Sequence, residues 1–193
     1  MVAAGSSREP RSDAARNHQA LVRAAIAAVH RDGPRVPMAR IAADAGVGIG
    51  TLYRHFPARE DLLSYLTRIS FEQVLANARA AESNATTATE ALRQFIEAAI
   101  SQRSELVLPL HGGPPLTSPG TRIIQKQVHQ TVRQIIDRGR ADGTIRGDVT
   151  PHDIVMFGAM LAQPWRSGPG WDATCCRLLA TYLTGLGSDT PAG

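Results

Sequence analysis

Ile41-Ala42-Ala43-Asp44-Ala45-Gly46-Val47-Gly48-Ile49-Gly50-Thr51-Leu52-Tyr53-Arg54-His55-Phe56, followed by Pro57-Ala58-Arg59-Glu60-Asp61-Leu62, decides how the chain folds. Met38, Ile41, Ala42 and Ala45 fall at i, i+3, i+4 and i+7, one face of an α-helix. Gly46 ends that helix, because glycine reaches the left-handed conformation of a helix C′ position without steric cost. A sharp turn within about three residues is what a helix-turn-helix needs. Val47 plugs the angle between the two helices. In the second, short helix Ile49, Leu52 and Phe56 face inward, leaving Gly50, Thr51, Tyr53, Arg54 and His55 wholly or partly outward. Those side chains suit phosphate oxygens and base edges.

Working outward, Arg16 to Arg31 reads as a helix with Val22, Ala25, Ile26 and Val29 on one stripe, ended by Gly33-Pro34. Three helices thus fill 16–56, the smallest compact unit around such a motif. Pro57 breaks the third. Glu60 and Asp61 open a fourth, where acidic residues suit the helix dipole, and it runs to about Ala81. Further helices are expected near 89–103, 121–141, 151–164 and 171–186. Thr150-Pro151 gives the third of these an N-cap and a first-turn proline. No alternating β pattern and no internal repeat occurs. The expected fold is all-α, about nine helices. It divides into an arm at 1–15, a helix-turn-helix domain at 16–60, a second helical domain at 61–187 and a tail at 188–193.

Charge is distributed unevenly. Residues 1–60 carry nine Arg against five acidic residues, while the rest of the chain carries twelve charges of each sign. The whole formal excess of +4 lies with the helix-turn-helix, as in a protein that docks that end on a polyanion. The arm at 1–15, with Arg8 and Arg11, either reaches a minor groove or is simply solvated. No run approaches the roughly 18 apolar residues of a membrane helix, and the polar N-terminus lacks a signal-peptide core, so the chain reads as cytoplasmic with no membrane partner. The neighbouring Cys175 and Cys176 read as small buried apolar residues, with a vicinal redox pair as the alternative. No P-loop, dinucleotide loop, metal-ligand spacing or nucleophile elbow is present, so an enzyme is not expected, nor a cofactor.

Residues 36–62 resemble the TetR family of transcriptional regulators. The resemblance rests on Ile41-Ala42, Ala45-Gly46-Val47, Gly50-Thr51-Leu52-Tyr53-Arg54-His55-Phe56 and Arg59-Glu60-Asp61-Leu62. It implies a ligand-responsive repressor that binds a palindromic operator in double-stranded DNA as a homodimer and is released by a small, largely apolar effector. An activator or architectural DNA binder without a ligand is the alternative. By resemblance, Tyr53 and His55 would bind phosphate oxygens, Arg59 would grip the backbone, Thr51 and Arg54 would read bases, and Gly50 would admit close approach. Arg40, Gly48 and Ile49 complete the expected DNA-binding set. Pro37 and Gly48 depart from the pattern by standing where the family commonly has Thr or Ser; a glycine cap costs only a few tenths of a kcal/mol.

The irregular apolar stretch Leu106 to Leu116, with two glycines and three prolines, cannot be one helix and either lines a cavity or tucks onto the core. A ligand pocket is expected among the helices at 89–103, 121–141 and 151–164. Its candidate residues are Phe95, Ile100, Leu108, His111, Ile124, Val128, Met156, Met160 and Trp165. The last two helices are the expected dimer interface, with Gly158, Ala159, Ala162 and Ala180 permitting close approach. His111 and His129 stand too far from other donors to suggest a metal site.

Overall fold

The computed structural model describes residues 10–164 and 166–187, with side chains from Ala15 onward. Among the described residues eight α-helices follow one another: α1 Pro10–Asp32, α2 Met38–Asp44, α3 Ile49–His55, α4 Arg59–Asn84, α5 Ala88–Ser101, α6 Pro119–Ala141, α7 Pro151–Leu161 and α8 Pro169–Gly185. One 3-10 turn, Pro109–His111, lies between α5 and α6. No strand occurs among the described residues. The all-α expectation holds, and the nine expected helices come to eight and a short turn.

Residues 10–15 correct the sequence reading, since they belong to α1 and not to an irregular arm. Pro10 occupies the first helical position, where its missing N–H leaves nothing unpaired, and no Gly or Pro follows until Gly33. The remainder of the expected arm, residues 1–9, and the tail at 188–193 lie outside the described residues.

The first core is built by α1, α2, α3 and the start of α4. Leu21, Ala25, Ile41, Leu52, Leu62 and Leu66 are buried in it, with Phe56 closing the end of α3. Burying a leucine fully contributes about 1.5–3 kcal/mol. α4 then continues into a second core, which its Phe71, Val74, Leu75 and Ala78 share with residues of α5, α6, α7 and α8. It runs mainly against α6 and α5, while α5 also packs on α7 and α8. Caps match the sequence at α7, where the Asp153 carboxylate accepts from the Thr150 N–H at 2.8 Å and the Thr150 hydroxyl accepts from the Asp153 N–H at 3.3 Å.

A strap of three residues joins the two cores a second time. Leu106 and Leu108 are buried in the second core, whereas Val107 between them is buried in the first. The alternation is that of extended chain, whose successive side chains point opposite ways. The His30 Nε2 of α1 donates to the Leu106 carbonyl at 3.0 Å. The Val107 N–H donates to the Ser70 hydroxyl of α4 at 2.9 Å. Both main-chain groups are therefore satisfied despite burial, as an irregular buried segment requires.

Candidate nucleic-acid interface and cavity

Gly46 holds φ +68° and makes the turn between α2 and α3, so the C-terminus of α2 closes and Val47 packs against the first core. On α3, Leu52 is fully buried and Phe56 is nearly so. Ile49 corrects the sequence reading: it is 42% exposed and does not face inward. Three residues before Leu52, it lies about 60° off the buried direction of the helix, and as the first helical residue it has no preceding turn to cover it.

The outward face of α3 carries Gly50, Tyr53 and Arg54, with Thr51 and His55 half-buried at its edges. Tyr53 is 47% exposed. Arg54 folds along its own helix, donating to the Gly50 carbonyl at 3.3 Å and the Thr51 hydroxyl at 3.4 Å. At Gly48 and Gly50 a Cβ would meet nothing within 4 Å, and Gly48 has ordinary extended angles. Neither glycine is required by the chain's own packing.

The other two expected cationic contacts, like Arg54, already have internal partners. Arg40 pairs with Asp44 at 3.3 Å, and Arg31 reaches the same carboxylate at 2.9 Å. Arg31 first, and both charges together, hold Asp44 below the ordinary carboxylate range. Arg59, at the start of α4, donates to the Arg35 carbonyl, which ties that helix end to the loop before α2. The Asp61 carboxylate accepts from the Ala58 N–H at 2.9 Å and closes the first turn of α4.

His55 packs into a group of rings that local spacing does not reveal. Its ring lies 5.4 Å from that of His18, and His18 stacks on Phe56 at 5.7 Å. The Tyr65 hydroxyl is 2.9 Å from His18 Nε2. Burial, and secondarily the neighbouring His55, lowers the His18 pKa. His18 and Tyr65 lie 47 residues apart in sequence and no periodicity joins them to α3.

In the second core the helices leave a cavity of about 410 Å³, within the range of about 300–1,000 Å³ of small-molecule sites. Of the residues expected there, Phe95, Leu108, His111, Val128 and Met156 line it. Ile100 and Ile124 do not; they are partly buried hydrophobics packed against the second core. Met160 is 62% exposed at the end of α7, and Trp165 lies outside the described residues. Leu106 and Leu110 of the irregular stretch also line it, whereas the sequence reading missed Phe71 and Val74 of α4, and His129 and His152. The composition of 106–116 pointed to its own residues; the α4 and histidine positions needed the packing.

Three of the residues expected at a dimer interface lie along the cavity, with Gly158 and Ala162 buried and Ala159 half-buried. A Cβ on Gly158 would sit 3.5 Å from Ile96. Ala180 is exposed on α8. The cysteines also divide: Cys175 is buried while Cys176 is exposed, because consecutive helical residues are about 100° apart. Burial raises the Cys175 pKa. No helix among the described residues is long and apolar enough to cross a membrane.

Comparison with known proteins bears on both regions. Residues 21–66 match the model of the bacterial regulatory proteins of the tetR family. No curated protein matches by sequence. Among solved structures, the TetR family transcriptional regulator PfmR of Thermus thermophilus superposes with TM-score 0.71 at 19% identity, over 86% of this chain and 98% of that one. The TetR regulator SCO0520 of Streptomyces coelicolor gives 0.58 at 27% identity, over 89% and 99%. AibR, solved with isovaleryl coenzyme A and operator DNA, gives 0.70 at 16% identity, over 87% and 98%. The chain therefore carries the helix-turn-helix of the tetR family of bacterial regulatory proteins on the fold of TetR transcriptional regulators.

Proposed function

We propose that this protein is a ligand-responsive transcriptional repressor that binds a palindromic operator as a homodimer. The observation that carries the reading is the outward face of α3, where Ile49, Gly50, Tyr53 and Arg54 stand free of the core on a helix anchored by Leu52 and Phe56. Tyr53, His55 and Arg59 bind phosphate oxygens; Thr51 and Arg54 read base edges. Gly48 and Gly50 let the DNA backbone approach where a side chain would intervene. Arg40 contributes positive charge beside the turn, shared with Asp44.

One short recognition helix reads only a few base pairs, so useful specificity calls for two of them related by a two-fold axis. The partner surface is on α7 and α8, where Met160 and Leu178 stay 62% and 44% exposed in the single chain. The cavity favours an effector-controlled regulator over a DNA binder without a ligand. Its wall is mostly apolar, which suits an apolar effector, whereas AibR was solved with an acyl coenzyme A. The strap supplies a physical route between the sites: its leucines belong to the second core and Val107 to the first. An effector acts only to the extent that it binds one arrangement of these elements better than the other.

Selection of bound sequences from a random DNA pool by the full chain tests the proposal. An inverted repeat is expected, bound with affinity that falls steeply with salt. Recovery of no sequence above non-specific background would overturn it.

A further inference from the structure

Among the described residues, the cavity wall is apolar except for Gln125, His111, His129 and His152, and no Asp, Glu, Lys or Arg lines it. His111 closes the 3-10 turn and is 6% exposed. Both of its ring nitrogens are buried without a hydrogen-bond partner. The Ala159 carbonyl beside it already accepts the Gln163 side-chain amide at 2.7 Å. Leaving such a group unpaired is destabilising, and its position in the wall is one that a bound molecule would complete. Burial lowers the His111 pKa against the opposing pull of the nearby Ala159 carbonyl, with a lesser lowering from His30, so the neutral ring predominates near pH 7.

We propose that His111 is the polar anchor of the cavity and that its ligand is an uncharged amphiphile, an apolar body bearing a hydroxyl seated against the imidazole. The assignment rests on the ligand-responsive reading above and narrows it. A neutral imidazole offers one donor and one acceptor, which a hydroxyl matches with its own acceptor and donor. A carboxylate offers only acceptors, and burying its charge where the wall supplies no cation is costly. His129 points the same way. Its Nδ1–H donates to the Gln125 carbonyl at 3.0 Å, which leaves Nε2 to meet a second hydroxyl or water.

The test uses the full chain, N-phenyl-1-naphthylamine as a fluorescent occupant, and decan-1-ol and decanoate as competitors at pH 7.5. Decan-1-ol is expected to displace the dye at concentrations at least about tenfold lower than decanoate. His111→Leu should weaken decan-1-ol about three- to tenfold, the worth of one or two neutral hydrogen bonds, while raising the melting temperature of the ligand-free chain. His111→Gln, which keeps a donor and an acceptor, should restore part of the alcohol affinity. Equal or tighter binding of decanoate, or unchanged alcohol affinity in His111→Leu, would overturn the assignment and leave the ligand-responsive reading standing. Failure of the dye and both competitors to bind would sink that reading and the assignment with it.

Discussion

The two cores put their working surfaces in opposite places. The first closes around Leu21, Ala25, Ala28 and Leu52, all at no exposure, and its chemistry lies on the outside of α3. The second leaves about 410 Å³ open, and its chemistry lies inside. A convex site is defined by what a short helix turns away from the core; a concave one by what several helices together fail to fill. The first needs a rigid support, and the second tolerates, and uses, incomplete packing.

The contrast breaks most visibly under truncation. Leu52→Ala should cost about 2–5 kcal/mol and abolish specific DNA binding, read from thermal melts and operator titration; a loss below about 1 kcal/mol would mean that the first core is looser than its burial implies. Arg54→Ala should leave stability within about 0.5 kcal/mol yet cost about 1–3 kcal/mol of operator affinity if it reads a base. A uniform loss across sequences with a reduced salt slope would reassign it to phosphate. Ala99→Leu, which builds into the cavity, should shift stability by under about 1 kcal/mol while excluding the naphthylamine dye. Unchanged dye binding would place the ligand elsewhere.

Gly50→Ala separates the convex surface from its support. Because a Cβ there meets nothing and alanine is favoured over glycine in a helix by up to about 1 kcal/mol, the melting temperature should rise slightly as DNA affinity falls. A rise in both would remove the close-approach role. The smallest effect is the pH dependence of the cavity. His111 has a lowered pKa when folded, so the unfolded chain takes up the proton first, and stability should decline as pH falls below about 6.5. His18 acts in the same direction, and the difference between the parent chain and His111→Leu isolates the cavity histidine.

Legibility followed the same division. The turn and the buried face of α2 and α3 are set within a few residues, so Gly46, Leu52 and Phe56 are readable from spacing alone. Ile49 was misread because a helical stripe says nothing about the open end of the helix that bears it. The cavity depends on which part of each stripe is left uncovered. Val128 lines it while Ile124, one turn earlier on α6, only packs against the core, and Met156 lines it while Met160 projects to solvent. Helical period places both members of each pair on one side. Only the lengths and crossings of neighbouring helices separate them.

Val107 and the first turns of α4 bear on how the molecule comes apart. Leu62, Leu66 and Val107 belong to the first core, although all three follow residue 60 and Val107 comes from the strap beyond α5. A fragment ending at 60 would lack that wall. No flexible joint separates the cores, because α4 is continuous from Arg59 to Asn84. The chain should therefore unfold in a single transition, with coincident far-ultraviolet and tyrosine signals. Two resolved transitions would show that one core unfolds before the other despite the continuous α4.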